Sequence, residues 1–171
     1  MTRIVITGAC GKMGRVINDI VNTRDDCEIT AGIDIAGEQY AGFPVYKKLF
    51  DLPEKPDVII DFSHPSALTT VLNYCKKRKL PVILATTGYT DEQKKEFTEA
   101  SKEIPVFFSA NMSLGINLII ALAKKATKLL EGNFDIEIVE RHHNQKIDAP
   151  SGTALAVSYT HLRAHETLRH L

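Results

Sequence analysis

The sequence lacks any excess of charge: its 171 residues carry 21 basic and 21 acidic side chains, for a formal net charge of zero at pH 7. That balance removes the electrostatic footprint that nucleic acid or an anionic membrane surface demands, so small molecules are the expected partners and neither nucleic acid nor membrane is. Long apolar runs are also missing. The longest nearly apolar stretch, Leu114 to Ala123, is too short to cross a bilayer and is interrupted by Asn117. The opening MTRIVITGACG has no signal-peptide organisation, which makes the cytoplasm the expected compartment. Cysteine is scarce: Cys10, Cys27 and Cys75 form no CxxC and no even framework, so neither disulfides nor a structural zinc site is expected. A hydrophobic content of 44% fits one ordinary folded domain, or one domain plus a fragment.

What is present begins with Arg3 to Thr7, a short β-branched run that enters a glycine cluster and continues into MGRVINDIVN, whose apolar positions recur at helical spacing. Strand, tight turn and helix are predicted in succession. Glu28 to Asp34 reads as a second strand and Val58 to Phe62, bounded by Pro56 and Pro65, as a third; a loop with Gly37, Gly42 and Pro44 lies between them. Ser66 to about Lys79 is predicted helical and Pro81 to Ala85 extended. Thr90, with Gln93 three residues later, is a capping-box start for a helix to about Glu103. Val106 to Phe108 is a fifth strand. Strands alternating with helices across short loops require parallel crossovers, so the predicted class is α/β, with a Rossmann-like doubly wound parallel sheet over residues 1–110.

The texture then changes. Leu114 to Leu130 is one long helical pattern, and Phe134 to Glu140 alternates like a half-exposed strand, so residues 111–157 read as the incomplete start of a second, α+β domain. Pro150-Ser151-Gly152-Thr153 introduces another helix. The final segment, residues 158–171, is compositionally foreign, with His161, His165 and His170 making up half of the six histidines. It is expected to be a non-native, adapter-derived tail, and no carboxylate or cysteine is arranged to complete a metal site there.

Two clusters carry chemistry. Gly8-Ala9-Cys10-Gly11-Lys12-Met13-Gly14 follows a strand and opens a helix, the context of a dinucleotide fingerprint, although its spacing is GxxGxxG rather than GxGxxG. Glycines let backbone approach a pyrophosphate, and N–H groups at the helix start hold the anion; the alternative is a turn whose glycines serve packing only. Asp34 ends the second strand about twenty residues past the last glycine, where a carboxylate accepts hydrogen bonds from ribose hydroxyls. No arginine follows it to pair a 2′-phosphate, so NADH is favoured over NADPH. The Tyr-x-x-x-Lys pair that short-chain dehydrogenases need is absent. The second cluster is Glu140-Arg141-His142-His143-Asn144-Gln145-Lys146, followed by Asp148-Ala149-Pro150-Ser151-Gly152-Thr153. An imidazole passes a proton near neutrality, while an ammonium, a hydroxyl and backbone N–H groups clamp carboxylates; a solvated polar loop is the bland alternative, and zinc lacks a convincing third ligand. His64, just before Pro65, reads as a loop residue at the cofactor edge.

With GACGKMG, DFSHPSA, ATTGYT, SANMSLGIN and ERHHNQKIDAPSGTAL in order, the chain from Met1 to about Leu155 resembles the dihydrodipicolinate reductase (4-hydroxy-tetrahydrodipicolinate reductase) family of lysine biosynthesis. The resemblance implies a Rossmann domain, a substrate-binding domain that assembles a homotetramer, and chains of roughly 250 residues, so this chain would stop early in the second domain and not form the tetramer properly. It implies His142 as proton donor and acceptor, Lys146 as its partner acid, and His143, Ser151, Gly152 and Thr153 as holders of the substrate carboxylates. On the cofactor side it implies Gly8, Ala9, Cys10, Gly11, Lys12 and Met13 at the pyrophosphate and Asp34 at the adenosine ribose. Ala85, Thr86, Thr87, Ser109, Ala110, Asn111 and Met112 would line the nicotinamide ribose and the hinge. Ala85 stands where the family more usually has glycine. The implied reaction is hydride transfer from NAD(P)H to C4 of a cyclic dicarboxylate with loss of its hydroxyl as water. Two other readings stay open: a dinucleotide-binding module without turnover, and a different dicarboxylate or amino-acid dehydrogenase of related architecture.

Overall fold

In the computed structural model, which describes residues 1–109, 112–130, 134, 137–142 and 150–158, the β-branched run at the start of the chain forms strand β1 (Thr2–Thr7). Its last four residues are buried, as a strand covered on both faces requires. The chain turns through the glycines into helix α1 (Lys12–Val21), returns as β2 (Cys27–Ile33) and runs alongside as the short β3 (Val45–Tyr46). Then follow β4 (Val58–Asp61), α2 (Leu68–Arg78), β5 (Val82–Leu84), α3 (Asp91–Ala100) and β6 (Val106–Phe108). These strands pair in parallel in the order β3-β2-β1-β4-β5-β6. The predicted doubly wound class is thus the class found. Connections diverge between β1 and β4, and a crevice opens at the carboxyl ends there. Register sets Thr7 beside Asp61 and Asp61 beside Leu84, so three strands end level with one another.

Side-chain alternation along the strands divides the core. Val5, Ile59, Val82 and Leu84 face α2 and α3, where Leu68, Leu72, Tyr74 and Phe97 complete the larger cluster. Ile4 and Ile6 point the other way, toward Ala9 and Val21 beneath α1. The Thr90 capping box forms as predicted: its hydroxyl accepts from the Gln93 N–H at 3.3 Å, and the Gln93 side chain accepts from the Thr90 N–H at 3.0 Å.

Local departures have local causes. β3 and a 3-10 turn at Leu49–Asp51 lie in the predicted loop, because a two-residue strand is too short to show a period. Pro65–Ala67 form a 3-10 turn ahead of α2, with the His64 ring accepting from the Ser66 N–H at 3.2 Å. α2 ends where Lys79 adopts a left-handed conformation, φ 51°.

The chain divides into two units, Met1–Ser109 and Ala110–Leu171. In the second, α4 (Leu114–Leu130) has the predicted bounds, and α5 (Gly152–Ser158) contacts it. The strand expected over 134–140 is not formed at its described residues, Phe134 and 137–140. Alternation supplies a pleat, but a strand exists only by pairing, and the described residues of this unit include no partner strand. Phe134 and Val139 are accordingly 66% and 83% exposed.

Candidate functional site

Three glycines follow β1, and packing alone accounts for two. A Cβ on Gly8, where φ is +74°, would stand 2.4 Å from the Phe62 carbonyl oxygen; on Gly14 it would stand 2.2 Å from that of Ala9. Ala9 itself is fully buried beneath α1. Gly8 and Gly11 both line the crevice, but Gly11 differs in being exposed at the start of α1, where a Cβ would meet only the Gly8 carbonyl oxygen, at 3.2 Å. Lys12 and Met13 are exposed beside it. Close packing therefore demands glycine at Gly8 and Gly14, whereas Gly11 leaves the start of α1 open toward the crevice.

Asp34 sits directly after β2. One carboxylate oxygen accepts from the Cys10 N–H at 3.0 Å and the other from the Ala36 N–H at 3.0 Å, so the side chain links the glycine loop to its own turn. Asp34 and Gly11 border a crevice of about 660 Å³ at the carboxyl ends of β1, β2 and β4. That volume lies within the range of small-molecule sites. Lys47 and Lys48, just past β3, line the same crevice as Asp34. Sequence inspection near Asp34 missed these cations, because pairing of β3 with β2 is what brings them there. His64 also lines the crevice.

Beneath this rim lies Asp61, wholly buried at the end of β4 and assigned no role by sequence. Its Oδ1 accepts from the Thr7 hydroxyl and from the Ser63 N–H at 3.2 Å and hydroxyl at 2.5 Å; its Oδ2 accepts from the Thr86 and Tyr89 hydroxyls, each at 3.0 Å. One carboxylate thus ties the end of β1 to the loops after β4 and β5. Burial, reinforced by the Asp61 charge, pushes the Tyr89 phenol well above its ordinary range, which keeps its proton available to Asp61. Burial likewise pushes the Cys75 thiol up to about 12.

The residues expected at the nicotinamide ribose divide by environment. Ala85 and Thr86 are buried, and the Thr86 hydroxyl points inward to Asp61 rather than outward; Thr87 is exposed. Ser109 is partly buried after β6, and its N–H donates to the Leu84 carbonyl at 3.3 Å. Met112 is 45% exposed in the second unit. Ala110 and Asn111 lie outside the described residues, as do His143, Lys146 and the histidines of the C-terminal tail.

In the second unit Ser151 is 1% exposed. Its hydroxyl accepts from the Ala154 N–H at 3.0 Å, and its own N–H donates to Glu140 Oε1 at 2.9 Å. Glu140 Oε2 stands 3.3 Å from Nδ1 of His142. The structure so brings His142 and the start of Ser151-Gly152-Thr153 to one carboxylate. Sequence reading quoted Glu140 in its motif without a role; the residue lies two positions from His142, on a chain segment whose path spacing alone does not reveal. Among the described residues no cluster could hold a metal ion, and no helix is long and apolar enough to cross a membrane.

Strand order, glycine turn and crevice at the switch point place the first unit in the class of Rossmann-like dinucleotide-binding folds. Residues 2–112 match the family described as dihydrodipicolinate reductase, N-terminus, and residues 115–168 its C-terminus. The chain belongs to the dihydrodipicolinate reductase family. It is 48% identical over 160 residues to the 4-hydroxy-tetrahydrodipicolinate reductase of Clostridium tetani, covering 94% of this chain and 63% of that protein. With the enzyme of that name from Caldanaerobacter subterraneus subsp. tengcongensis, identity is 51% over 158 residues, covering 92% and 62%. The chain therefore spans less than two thirds of these relatives. Among solved structures, a dipicolinate-bound dihydrodipicolinate reductase from Paenisporosarcina sp. TG-14 superposes with a TM-score of 0.77 at 28% identity, over 99% of this chain and 69% of that one.

Proposed function

We propose that this chain carries the NAD(P)H-dependent reduction of 4-hydroxy-tetrahydrodipicolinate to tetrahydrodipicolinate, a cytoplasmic step of the diaminopimelate route of lysine biosynthesis, in an enzyme that is a homotetramer when intact. The observation that supports this most is the ligand-sized crevice at the switch point, bordered by Gly11 and Asp34. Residues Gly8 to Met13 hold the cofactor pyrophosphate and Asp34 the adenosine ribose, while Ala85, Thr86, Thr87 and the segment Ser109-Ala110-Asn111-Met112 border the nicotinamide ribose. Bound there, the nicotinamide supplies the hydride. His142, its side chain 38% exposed, delivers a proton to substrate carbon, with Lys146 as partner acid. His143, Ser151, Gly152 and Thr153 orient the substrate carboxylates. A positioned general acid of this kind contributes a rate factor of roughly 10²–10⁴.

NADH is the preferred cofactor, since Asp34 repels a 2′-phosphate. Lys47 and Lys48 are the cations available to NADPH, so replacing both by Ala raises KM for NADPH and leaves that for NADH nearly unchanged. The decisive assay follows NADH and NADPH oxidation with freshly generated hydroxy-tetrahydrodipicolinate, comparing the chain with a version carrying a full-length family C-terminus. Turnover abolished by His142→Gln is expected. A folded, completed chain that turns over with neither cofactor overturns the reading. A dinucleotide-binding module without turnover is the second reading for the chain by itself, favoured because Ser151 is the one buried residue among those described in the second unit. NADH binding without oxidation in the presence of substrate is its signature.

A further inference from the structure

Strand pairing delivers one particular cation to the turn that carries Asp34. The Asp34 N–H donates to the Tyr46 carbonyl at 2.9 Å, so Lys47, the residue leaving β3, arrives beside that turn. Gly37 closes the turn, its N–H donating to the Asp34 carbonyl at 3.1 Å and its φ at +63°. The stem of Lys47 lies along this glycine. A Cβ at position 37 would stand 2.9 Å from Cε, 3.3 Å from Cγ and 3.7 Å from Cδ of Lys47, and these three atoms are the nearest to it. The missing side chain of Gly37 therefore gives the stem a seat, and a lysine whose carbons rest on the protein keeps its charged end toward water.

The ammonium at the end of that stem lacks a counter-ion: among the described residues no carboxylate, Asp34 included, stands within 4.0 Å of it. Each Asp34 oxygen is met instead by a main-chain donor at 3.0 Å, one by the Cys10 N–H and the other by the Ala36 N–H. Carboxylate and ammonium thus border one crevice without pairing, which suits a ligand that presents a hydroxyl to the first or an anion to the second. We propose that Lys47 is the specificity-determining residue for the phosphate that distinguishes NADPH: its ammonium receives the 2′-phosphate and offsets the repulsion of Asp34, whereas the ribose hydroxyls of NADH engage Asp34 and leave Lys47 unused. The inference rests on the dinucleotide reading of the crevice. It deepens that reading by assigning the role to one lysine of two and by naming the glycine that seats it.

The test titrates the 171-residue chain with NADH and with NADPH, following nicotinamide fluorescence, beside Lys47→Met, Lys47→Arg and Lys48→Met. Methionine keeps an unbranched stem for the seat and removes the charge. Lys47→Met is expected to raise Kd for NADPH roughly tenfold, the scale of one charge-assisted contact, and to leave Kd for NADH within about twofold. Lys47→Arg keeps most of the NADPH binding, Lys48→Met weakens it less than Lys47→Met does, and added salt shrinks the difference between Lys47→Met and the unsubstituted chain. An unmoved Kd for NADPH in Lys47→Met overturns the proposal, as does a larger loss in Lys48→Met. Equal weakening of both cofactors overturns it too, because the lysine would then be bracing the Asp34 turn. A folded chain that binds neither cofactor overturns the dinucleotide reading and this assignment together, whereas absence of turnover in the completed chain counts against the reductase reading alone.

Discussion

Helices α2 and α4 each carry apolar side chains, to different ends. In the first unit, Leu68, Val71, Leu72 and Tyr74 of α2 are at most 1% exposed, pressed against the sheet. In the second, Leu114, Leu118, Ile119, Leu122 and Leu129 of α4 are 86%, 58%, 56%, 58% and 75% exposed. Periodicity makes both helices and leaves both with an apolar stripe, but burial of the stripe needs a second layer. A completed six-stranded sheet supplies that layer for α2; among the described residues of the second unit, only α5 lies against α4. Carboxylate contacts follow the same contrast. Asp61 is held by four side chains, one from the end of β1 and three from the loops after β4 and β5, whereas Glu140 meets Ser151 and His142 within a short stretch of chain.

The largest blow to this contrast is Asp61→Ala, which strands the donors of Thr7, Ser63, Thr86 and Tyr89 in a buried pocket; unfolding in urea should show a loss of about 4 kcal/mol for the first unit. A loss under about 1 kcal/mol would mean that water or rearrangement satisfies those donors. Next in size, Leu72→Ala should cost about 2–5 kcal/mol, against within about 0.5 kcal/mol for Leu118→Ala. Equal costs would break the comparison, because α4 would then be covered in solution. Removing the cap of α3 with Thr90→Ala should lower the melting stability of the first unit by about 1 kcal/mol and leave the second unit unmoved. The smallest effect is chemical. Folded Cys75 keeps its proton to about 12, above a thiol's ordinary 9.0, so its contribution to stability is complete below pH 9 and declines as pH rises toward 12. A thiol reagent at pH 8 should accordingly spare Cys75 in the folded chain, and rapid labelling there would show that α2 opens readily.

Much of the first unit was legible because its signals are local. A β-branched run, a glycine turn and an amphipathic helix lie next to one another, and the Thr90–Gln93 box is contained in a single turn. The place of Asp34 was legible for a related reason, since following β2 directly sets it level with the glycine loop after β1. β3 escaped notice because two residues have no period, and with it went Lys47 and Lys48. The strand expected over 134–140 is not formed at its described residues for the opposite reason: its alternation is clear, but pairing is not a property of one segment.

Sequence alone determined the parallel α/β class, the bounds of α4 and the capped start of α3. Each follows from contacts between residues a few positions apart, whose geometry the backbone dictates. Only the tertiary structure decided which glycines serve packing, which helix stripe is buried, and which buried carboxylate organises the crevice. Asp61 meets Thr7 across 54 positions, Thr86 across 25 and Tyr89 across 28. Such a meeting depends on strand order and register together, and no single segment encodes either one.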